Sequence, residues 1–324
     1  MPRPRSVGCG LMVSSERNNG RRLWGVVLAA GESQRVRKLA LRVFSRESPA
    51  QYSGASGGPS LIEHTVNGLA CLVAPERIFT VIGNGHCVYL NPEVQLPGRL
   101  LEEPANRGTA AGVMLPLVYV LAQEPEATVL ILPSDHFVLP DEQFVPNLER
   151  AAHLAECLPN RLVVLGAAPT RPQADFGWVE AGPFLEGMAD FGARSVKRFY
   201  EEPSHEEAER FLQRGYFWNT RIMAVKARTL WTIGQQLFPG MLKRFENLLD
   251  LLKLINNGNA SRDLEKLALR DVYRGLETAN FSRRVLRAPE WITLLPMSDL
   301  SSTNWGHDGR VAARQMRSSY LRLA

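Results

Sequence analysis

Residues 133–136, with the sequence Pro-Ser-Asp-His, could do chemistry because an acidic side chain closely follows the apolar run 128–132, Thr-Val-Leu-Ile-Leu. Such a run predicts a buried parallel strand, with Asp135 just beyond its carboxyl end. Ligands bind at this edge of open α/β sheets, and a carboxylate there can bind Mg²⁺ that carries nucleotide phosphates. An Asp that caps the following turn is the alternative, and spacing alone does not separate the two.

The elements that would position Asp135 alternate between strands and helices. A helix is predicted to begin at Ser60 as its N-cap, a second spans residues 109–122 with an interruption near Pro116, and an amphipathic helix spans 141–157. The alternation predicts an α/β fold with a doubly wound, mainly parallel sheet. Apolar runs predict the strands of this part at residues 23–30, 78–82, 128–132 and 161–165.

The pattern changes in the second half of the chain. Short strand candidates at residues 176–180, 195–199 and 219–225 have fewer helices between them, which predicts a second, substrate-facing half of the same sheet. Residues 230–274 are predicted to be mostly helical. Their apolar stripe at helical spacing indicates core packing, and it consists of Leu242, Phe245, Leu248, Leu249, Leu252 and Ile255.

Composition and charge exclude several classes of protein. With 45% hydrophobic and 22% charged residues in 324, the chain is typical of a globular domain. No apolar run approaches the roughly 18 residues that cross a bilayer. The four cysteines lack CxxC spacing, which favours reduced thiols and a cytoplasmic location. Most of the net charge of +5 arises within residues 1–22, so we expect a disordered basic leader there and no nucleic-acid surface.

Five segments, in order, resemble those of the sugar-1-phosphate nucleotidylyltransferases, and specifically the mannose-1-phosphate guanylyltransferase-like branch. They are Leu-Ala-Ala-Gly-Glu-Ser-Gln-Arg at 28–35, Glu-Pro-Ala-Asn-Arg-Gly-Thr at 103–109, Pro-Ser-Asp-His at 133–136, Phe-Gly-Trp-Val-Glu at 176–180 with Val-Lys-Arg-Phe-Tyr-Glu-Glu-Pro at 196–203, and Phe-Trp-Asn-Thr at 217–220. Residues 296–306 match more loosely. The resemblance covers residues 23–310 and implies a single large domain with a mixed, mainly parallel, nucleotide-diphospho-sugar transferase-like (Rossmann-like) sheet, followed by a tail at 311–324.

The resemblance implies transfer of a guanylyl group from GTP to a hexose 1-phosphate such as mannose 1-phosphate, with Mg²⁺ as cofactor and release of pyrophosphate. Positioning and charge neutralisation dominate such chemistry. It implies no nucleic-acid or membrane partner and leaves the oligomeric state open. The catalytic residues would be Arg35 and Asp135, with Asp135 and Asn304 at the metal. The nucleotide would contact Leu28, Ala29, Ala30, Gly31, Asn106, Thr109 and Ala110, and the sugar Gly177, Glu201 and Asn219.

Besides Ser33, Gln34 and Lys38 in the loop after the first strand, three positions depart from the family pattern. A phosphate-binding Lys of the family aligns with Ala50, a Lys of the sugar site aligns with Glu202, and the second metal carboxylate aligns with Asn304. All three changes affect how the site handles phosphate charge and a divalent ion. Arg35 belongs to a basic loop at residues 35–46 that either supplies a substitute cation or carries only solvated charges.

These departures keep a second hypothesis open: a catalytically degenerate paralogue that binds a nucleotide or nucleotide sugar without turnover, or that serves as a partner subunit. An oxidoreductase on a Rossmann sheet is disfavoured, because the chain has no GxGxxG followed by an acidic residue. A neighbouring cation, Lys197 or Arg198, would offset Glu202, and Arg198 is the better candidate because strand alternation would put it on the same face as Tyr200 and Glu202.

Overall fold

The computed structural model describes residues 22–31, 50–52, 59–134 and 141–297, with the backbone alone for residues 50, 141 and 142. Its strands are β1 (Leu23–Ala29), β2 (Ile78–Ile82), β3 (Arg99–Glu102), β4 (Thr128–Pro133), β5 (Leu162–Ala167), β6 (Trp178–Phe184), β7 (Arg194–Tyr200), β8 (Phe217–Lys226) and β9 (Ile292–Pro296). Its helices are α1 (Leu61–Ala70), α2 (Gly108–Gln123), α3 (Asp141–Cys157), α4 (His205–Gln213), α5 (Ala227–Leu237), α6 (Pro239–Asn256), α7 (Asp263–Arg274) and α8 (Phe281–Val285).

The described strands form one nine-stranded mixed sheet in the order β3-β2-β1-β4-β8-β5-β9-β7-β6. Strand β1 lies between β2 and β4 and is parallel to both. Strand β8 is antiparallel to β4 on one side and to β5 on the other, and it also pairs with β6. The second set of strands therefore belongs to the same sheet as the first, as predicted.

Alternating side chains of the strands contribute to two large hydrophobic cores, one on each face of the sheet, and a small third cluster surrounds Trp178 of β6. On β1, Trp24 and Val26 contribute to the core that α2, α5 and α6 cover. Val27 and Ala29 contribute to the opposite core, which α1 and α3 cover. Because successive side chains of a strand point to opposite faces, helices are needed on both sides of the sheet. The predicted doubly wound α/β class is confirmed.

Several helix predictions hold at residue level. Ser60 is the N-cap of α1: the Glu63 amide donates to Ser60 Oγ at 3.4 Å, and the Ser60 amide donates to the Glu63 carboxylate at 2.9 Å. Helix α3 has the predicted bounds, Asp141–Cys157. The apolar stripe predicted for residues 242–255 is buried along α6. Reciprocal capping satisfies amide groups that the first turn of a helix leaves unpaired.

The predicted interruption of the second helix near Pro116 is wrong, because α2 runs unbroken from Gly108 to Gln123. A proline inside a helix costs roughly 3 kcal/mol through a lost hydrogen bond and a clash. Every residue from 110 to 121 is buried, so apolar packing on all sides of the helix offsets this cost.

Strands β3 and β9 were not predicted. Strand β3 has four residues at the edge of the sheet, and three of them are exposed, which leaves no alternation to detect. Strand β9 is apolar and pairs in parallel with β5.

Of the predicted leader at 1–22, only Arg22 is among the described residues, and the tail at 311–324 lies entirely outside them. Within the described ranges, no helix combines the length and apolarity that a bilayer crossing requires.

Candidate functional site

The carboxyl ends of β1 and β4 lie side by side. Ser134, the residue after β4, donates to the Leu28 carbonyl twice, from its amide at 3.2 Å and from its Oγ at 2.8 Å. The backbone that leads into Asp135 is therefore fixed beside the loop that follows β1. Asp135 itself lies outside the described residues, as do Arg35 and Asn304, so their placement stays a prediction.

A short segment at residues 50–52 packs against the end of β1. Gln51 Nε2 donates to the Ala29 carbonyl at 2.9 Å and to the Gly31 carbonyl at 3.1 Å. The Tyr52 hydroxyl donates to the same Ala29 carbonyl at 3.1 Å and lies 3.1 Å from His86 Nδ1. Burial raises the pKa of Tyr52, so the hydroxyl stays neutral. These contacts leave the segment that begins with Ala50 beside the loop predicted to bind phosphates.

Gln51 and Tyr52 were not singled out from the sequence. The feature that could have identified them is the match of residues 49–52 to a phosphate-binding segment of the family. In that match only the replacement of the family's Lys by Ala50 was considered. The structure adds a positioning role for this segment, because both side chains donate to the Ala29 carbonyl at the end of β1.

The predicted base-binding loop at residues 103–110 is held by the segment that precedes α8. The Ala110 amide donates to the Ala279 carbonyl at 3.0 Å, and the Ala279 amide donates to the Arg107 carbonyl at 3.1 Å. Thr109 Oγ1 accepts from the Phe281 amide at 2.9 Å. Thr109 and Ala110 thus have structural partners, and they lie at the N-terminus of α2, where a helix attracts anions.

Asn106 and Gly108 form the turn that leads into α2. The Gly108 amide donates to Asn106 Oδ1 at 3.0 Å. Gly108 has a φ of +77°, and a Cβ added there would lie 2.4 Å from the Ala279 carbonyl oxygen. Only glycine adopts this conformation readily, so the close approach to residue 279 depends on the absence of a side chain.

Glu103, at the start of this loop, is buried and was not predicted as a functional residue. Its Oε1 accepts from the Tyr273 hydroxyl at 2.9 Å, and Arg107 Nε donates to the Tyr273 carbonyl at 3.1 Å. Burial raises the pKa of Glu103 to about 7, although the hydrogen bond from Tyr273 lowers it. Tyr273 of α7 therefore holds the loop at two points.

The three predicted sugar-binding residues are brought together by β6, β7 and β8. The backbone amide of Asn219 donates to the Gly177 carbonyl at 2.8 Å. A Cβ added at Gly177 would lie 2.7 Å from Glu201 Oε1 and 3.5 Å from the Asn219 Cβ. Any other residue at position 177 would push the Glu201 carboxylate away. The arrangement can offer a carboxylate and an amide to the hydroxyl groups of a ligand.

Strand β8 has an irregularity directly after Asn219. The register of the β5–β8 pair shifts between Val164 and Gly166. Opposite this shift, Asn219 Oδ1 accepts from the Arg221 amide at 3.0 Å, and Thr220 Oγ1 accepts from the Ile222 amide at 3.2 Å. Side chains thus satisfy two amides that the distorted ladder leaves unpaired.

Arg221 is a charged neighbour of the sugar-site carboxylate that the sequence analysis missed. Its Nη2 lies 3.6 Å from Glu201 Oε2. Burial raises the pKa of Glu201, and the positive charge of Arg221 is the largest effect that opposes this. Glu202 raises the pKa of Glu201 further, whereas Arg283 and a hydrogen bond from Asn219 lower it. Arg221 follows the matched segment 217–220 by one residue, so no family motif marked it.

Among the described residues, the structure shows no ion pair between Arg198 and Glu202, which was expected to offset the negative charge of Glu202. Strand β7 ends at Tyr200, and Glu202 has a φ of +50°, so the alternation along the strand does not extend to it. The Arg198 guanidinium lies over the Tyr200 ring, 5.9 Å from its centroid. Arg221 and Arg283 are the cations whose charge acts on the neighbouring Glu201.

No metal centre is evident in the part of the chain that the structure describes. There, no three His, Cys, Asp or Glu side chains come together in a way that could hold a metal ion. Both predicted ligands of Mg²⁺, Asp135 and Asn304, lie outside that part, so the metal stays a prediction. Two hydrogen bonds from Ser134 to the Leu28 carbonyl hold the backbone directly before Asp135, one of the two predicted ligands.

Comparison with known proteins gives a consistent set of relatives. A family model described as nucleotidyl transferase matches residues 24–251. Mannose-1-phosphate guanylyltransferase of Escherichia coli K12 is 26% identical over 216 residues, which cover 64% of this chain and 43% of that protein. Xanthan biosynthesis protein XanB of Xanthomonas campestris pv. campestris is 30% identical over 209 residues, 62% of this chain and 42% of that protein. The chain spans less than half the length of these curated relatives.

Solved structures agree with these matches. A crystal structure of a Thermus thermophilus protein, named mannose-1-phosphate geranyltransferase, is similar with a TM-score of 0.67 and 30% identity, over 85% of this chain and 74% of that one. A Helicobacter pylori structure named mannose-6-phosphate isomerase has a TM-score of 0.61 at 19% identity, over 86% of this chain and 98% of that one. The second likeness shows the fold alone.

Replacement of Gly108 by Ala should destabilise the protein by about 1–3 kcal/mol, because an L-residue is strained at positive φ and the new methyl group meets the Ala279 carbonyl. Gly112→Ala is the matched control in the same helix. Its Cβ would lie 3.6 Å from Glu103 Oε2, an ordinary contact, so it should stabilise by about 0.4–1 kcal/mol. Urea unfolding of both variants measures the difference, and equal effects of the same sign would contradict this account of the turn.

The buried Glu103 carboxyl should make stability depend on pH. Its folded-state pKa of about 7 exceeds the ordinary value of 4.5, so the folded protein holds this proton more tightly than the unfolded chain. The free energy of unfolding should therefore fall as the pH rises from about 4.5 to about 7, by up to about 3 kcal/mol. Glu103→Gln should flatten this part of the profile in urea unfolding at pH 5, 6 and 7.5. An unchanged slope would mean that Glu103 ionises normally in the folded protein.

Proposed function

The chain belongs to the nucleotidyl transferase family, and we propose that it transfers the guanylyl group of GTP to a hexose 1-phosphate such as mannose 1-phosphate. The observation that carries this proposal is the assembly of Gly177, Glu201 and Asn219 into one cluster. Asn219 lies on β8, the strand that pairs with β4, and β4 leads into Asp135. A hexose at Glu201 would thus lie at the same edge of the sheet as a nucleotide beside β1.

The reaction needs a nucleophile, an electrophile and a leaving group held in line. A phosphate oxygen of the sugar 1-phosphate attacks the α-phosphorus of the nucleotide, a new P–O bond forms, and the bond to the β-phosphate breaks to release pyrophosphate. Glu201 would accept hydrogen bonds from sugar hydroxyls, and Asn219 would help to orient them. This role suits a carboxylate that lies against Gly177 and within 3.6 Å of the Arg221 guanidinium.

The nucleotide would be held from the other side of the cleft. We propose that residues 28–31 hold the base and ribose, and that Asn106, Thr109 and Ala110 also hold the base. The hydrogen bonds from residues 279–281 to this loop support the proposal, since a base-binding loop must keep its shape before the ligand arrives. The N-terminus of α2 adds a favourable potential for phosphate.

Arg35, Asp135 and Asn304 complete the proposed site. Asp135 would hold Mg²⁺ together with the carbonyl oxygen of Asn304, and the ion would supply neutralisation of the phosphate charge when bound. Arg35 would contact the phosphates. Ser134, the residue before Asp135, supports this arrangement through its two hydrogen bonds to the Leu28 carbonyl.

A second candidate function is binding of a nucleotide or nucleotide sugar without turnover. The observation that favours it is Glu202, which is exposed and whose negative charge raises the pKa of the adjacent Glu201. A carboxylate at this position repels the phosphate that a productive complex must bring into the cleft. Ala50 and Asn304 remove a further cation and a metal carboxylate relative to the family pattern.

Pyrophosphate release with GTP, mannose 1-phosphate and Mg²⁺ tests the proposed reaction. We expect turnover by the wild-type protein and a loss of about 10²–10³-fold in Asp135→Asn, because charge stabilisation of the transition state is removed. Asp271→Asn, an exposed change of the same kind, should keep full activity. Tight GTP binding by calorimetry without any pyrophosphate release would favour the second candidate.

Glu202→Lys should tighten the binding of mannose 1-phosphate, and Glu202→Gln should do so to a smaller extent. Two unit charges 4 Å apart interact by about 1 kcal/mol in water, so removal of the repulsion alone is worth about fivefold in affinity. Calorimetric titration with mannose 1-phosphate measures this effect for both variants. If neither variant differs from the wild type, Glu202 does not face the sugar phosphate.

A further inference from the structure

We infer that Arg221 binds the phosphate group of the sugar 1-phosphate and so takes the place of the cation that is missing at Glu202. This inference rests on the proposed function, because it names the residue that recognises one of its two substrates. It concerns a side chain that lies next to the Gly177, Glu201 and Asn219 cluster and that no motif of the sequence marked.

The backbone of Arg221 is strained. Its φ is +58°, in the left-handed region of backbone conformation that residues other than glycine rarely adopt. Such a conformation costs on the order of 1–2 kcal/mol. The hydrogen bonds of the Asn219 and Thr220 side chains to the amides of residues 221 and 222 keep the backbone in this shape. An observed outlier of this kind, beside the proposed sugar site, points to a functional demand on its side chain.

The Arg221 guanidinium has donors to offer. Among the described residues, its one ion-pair partner is Glu201, and the 3.6 Å between Nη2 and Oε2 is too long for a strong hydrogen bond. The side chain is 43% exposed, so a ligand can reach it. A guanidinium has five N–H groups in a planar fork that matches two oxygens of a phosphate monoester.

The position of Arg221 on β8 is consistent with a role at the sugar phosphate. In the antiparallel β4–β8 pair, Ile131 is opposite Met223. The pairing ends there, and Arg221 lies two residues further toward the N-terminus of β8, on the side of the carboxyl end of β4. Its guanidinium lies beside the Glu201 carboxylate proposed to hold the sugar.

Arg283 contributes a second positive charge near the same carboxylate. Its charge lowers the pKa of Glu201. It belongs to α8, whose first amide, that of Phe281, donates to Thr109 Oγ1 in the proposed base-binding loop. Positive charge therefore acts on Glu201 from β8 and from α8.

The competing explanation is that Arg221 serves only as a structural counter-ion for Glu201. The two roles differ in what happens when the side chain is removed and the backbone is relaxed. Arg221→Gly does both, because glycine adopts positive φ without strain. A structural counter-ion would show itself as lost stability, whereas a phosphate ligand would show itself as lost affinity for the phosphorylated sugar.

We therefore compare Arg221→Gly, Arg221→Lys and the wild type by calorimetric titration with mannose 1-phosphate, with mannose and with GTP, and by thermal unfolding. Arg221→Gly should bind mannose 1-phosphate at least about tenfold more weakly, with an unchanged or higher Tm and unchanged affinity for GTP. Arg221→Lys should recover part of the affinity, because it keeps the charge and loses the fork. Arg274→Ala, which removes an exposed arginine paired with Asp271, should match the wild type.

Unchanged affinity of Arg221→Gly for mannose 1-phosphate, or an equal loss for mannose and mannose 1-phosphate, would overturn the inference. Pyrophosphate release by the wild type together with Arg221-independent binding would overturn the inference and leave the proposed function intact. Arg221-dependent binding without any pyrophosphate release would leave the inference intact and reject the proposed reaction. Failure of the wild type to bind mannose 1-phosphate would overturn both.

Discussion

The hydrogen bonding of β8 to β4 on one side and to β5 on the other holds the two halves of the sheet together. Because β8 is antiparallel to both neighbours, its N-terminal part lies at the carboxyl ends of β4 and β5, where ligands bind in sheets of this kind. Residues 217–221 of β8 thus reach the same edge as the loop after β1. The proximity of the proposed sugar and nucleotide sites follows from this one strand.

Charge is the second constraint on the site. Phosphate transfer requires cations near the anionic substrates, yet Glu201 and Glu202 are adjacent in the sequence. The distortion of β8 after Asn219 brings Arg221 within 3.6 Å of Glu201, and α8 contributes Arg283. Positive charge therefore acts on Glu201 from two other elements, which only the folded chain brings together.

The sequence predicted the parts of the fold that depend on local pattern. Long apolar runs predicted β1, β2 and β4. The acidic and apolar residues at 141–157 predicted α3 with its correct ends. Strand β3 escaped prediction because a short, mostly exposed edge strand has no alternation. Pro116 was misread because its effect depends on how deeply α2 is buried, which is a tertiary property.

The site could be predicted only where a motif marked it. Gly177, Glu201 and Asn219 were expected to act together, and the structure brings them into contact. Arg221 could not be found in this way, because its position depends on a register shift between two strands and on a positive φ that no residue type signals.

A crystal structure of the protein with GDP-mannose and Mg²⁺ tests the central claim most directly, since that claim is that one cleft at the carboxyl edge holds the nucleotide and the sugar together. We expect the hexose to contact Glu201 and Asn219, and the pyrophosphate to lie between the loop after β1 and Arg221. A nucleotide sugar bound elsewhere, or a hexose that does not contact Glu201, would contradict the account.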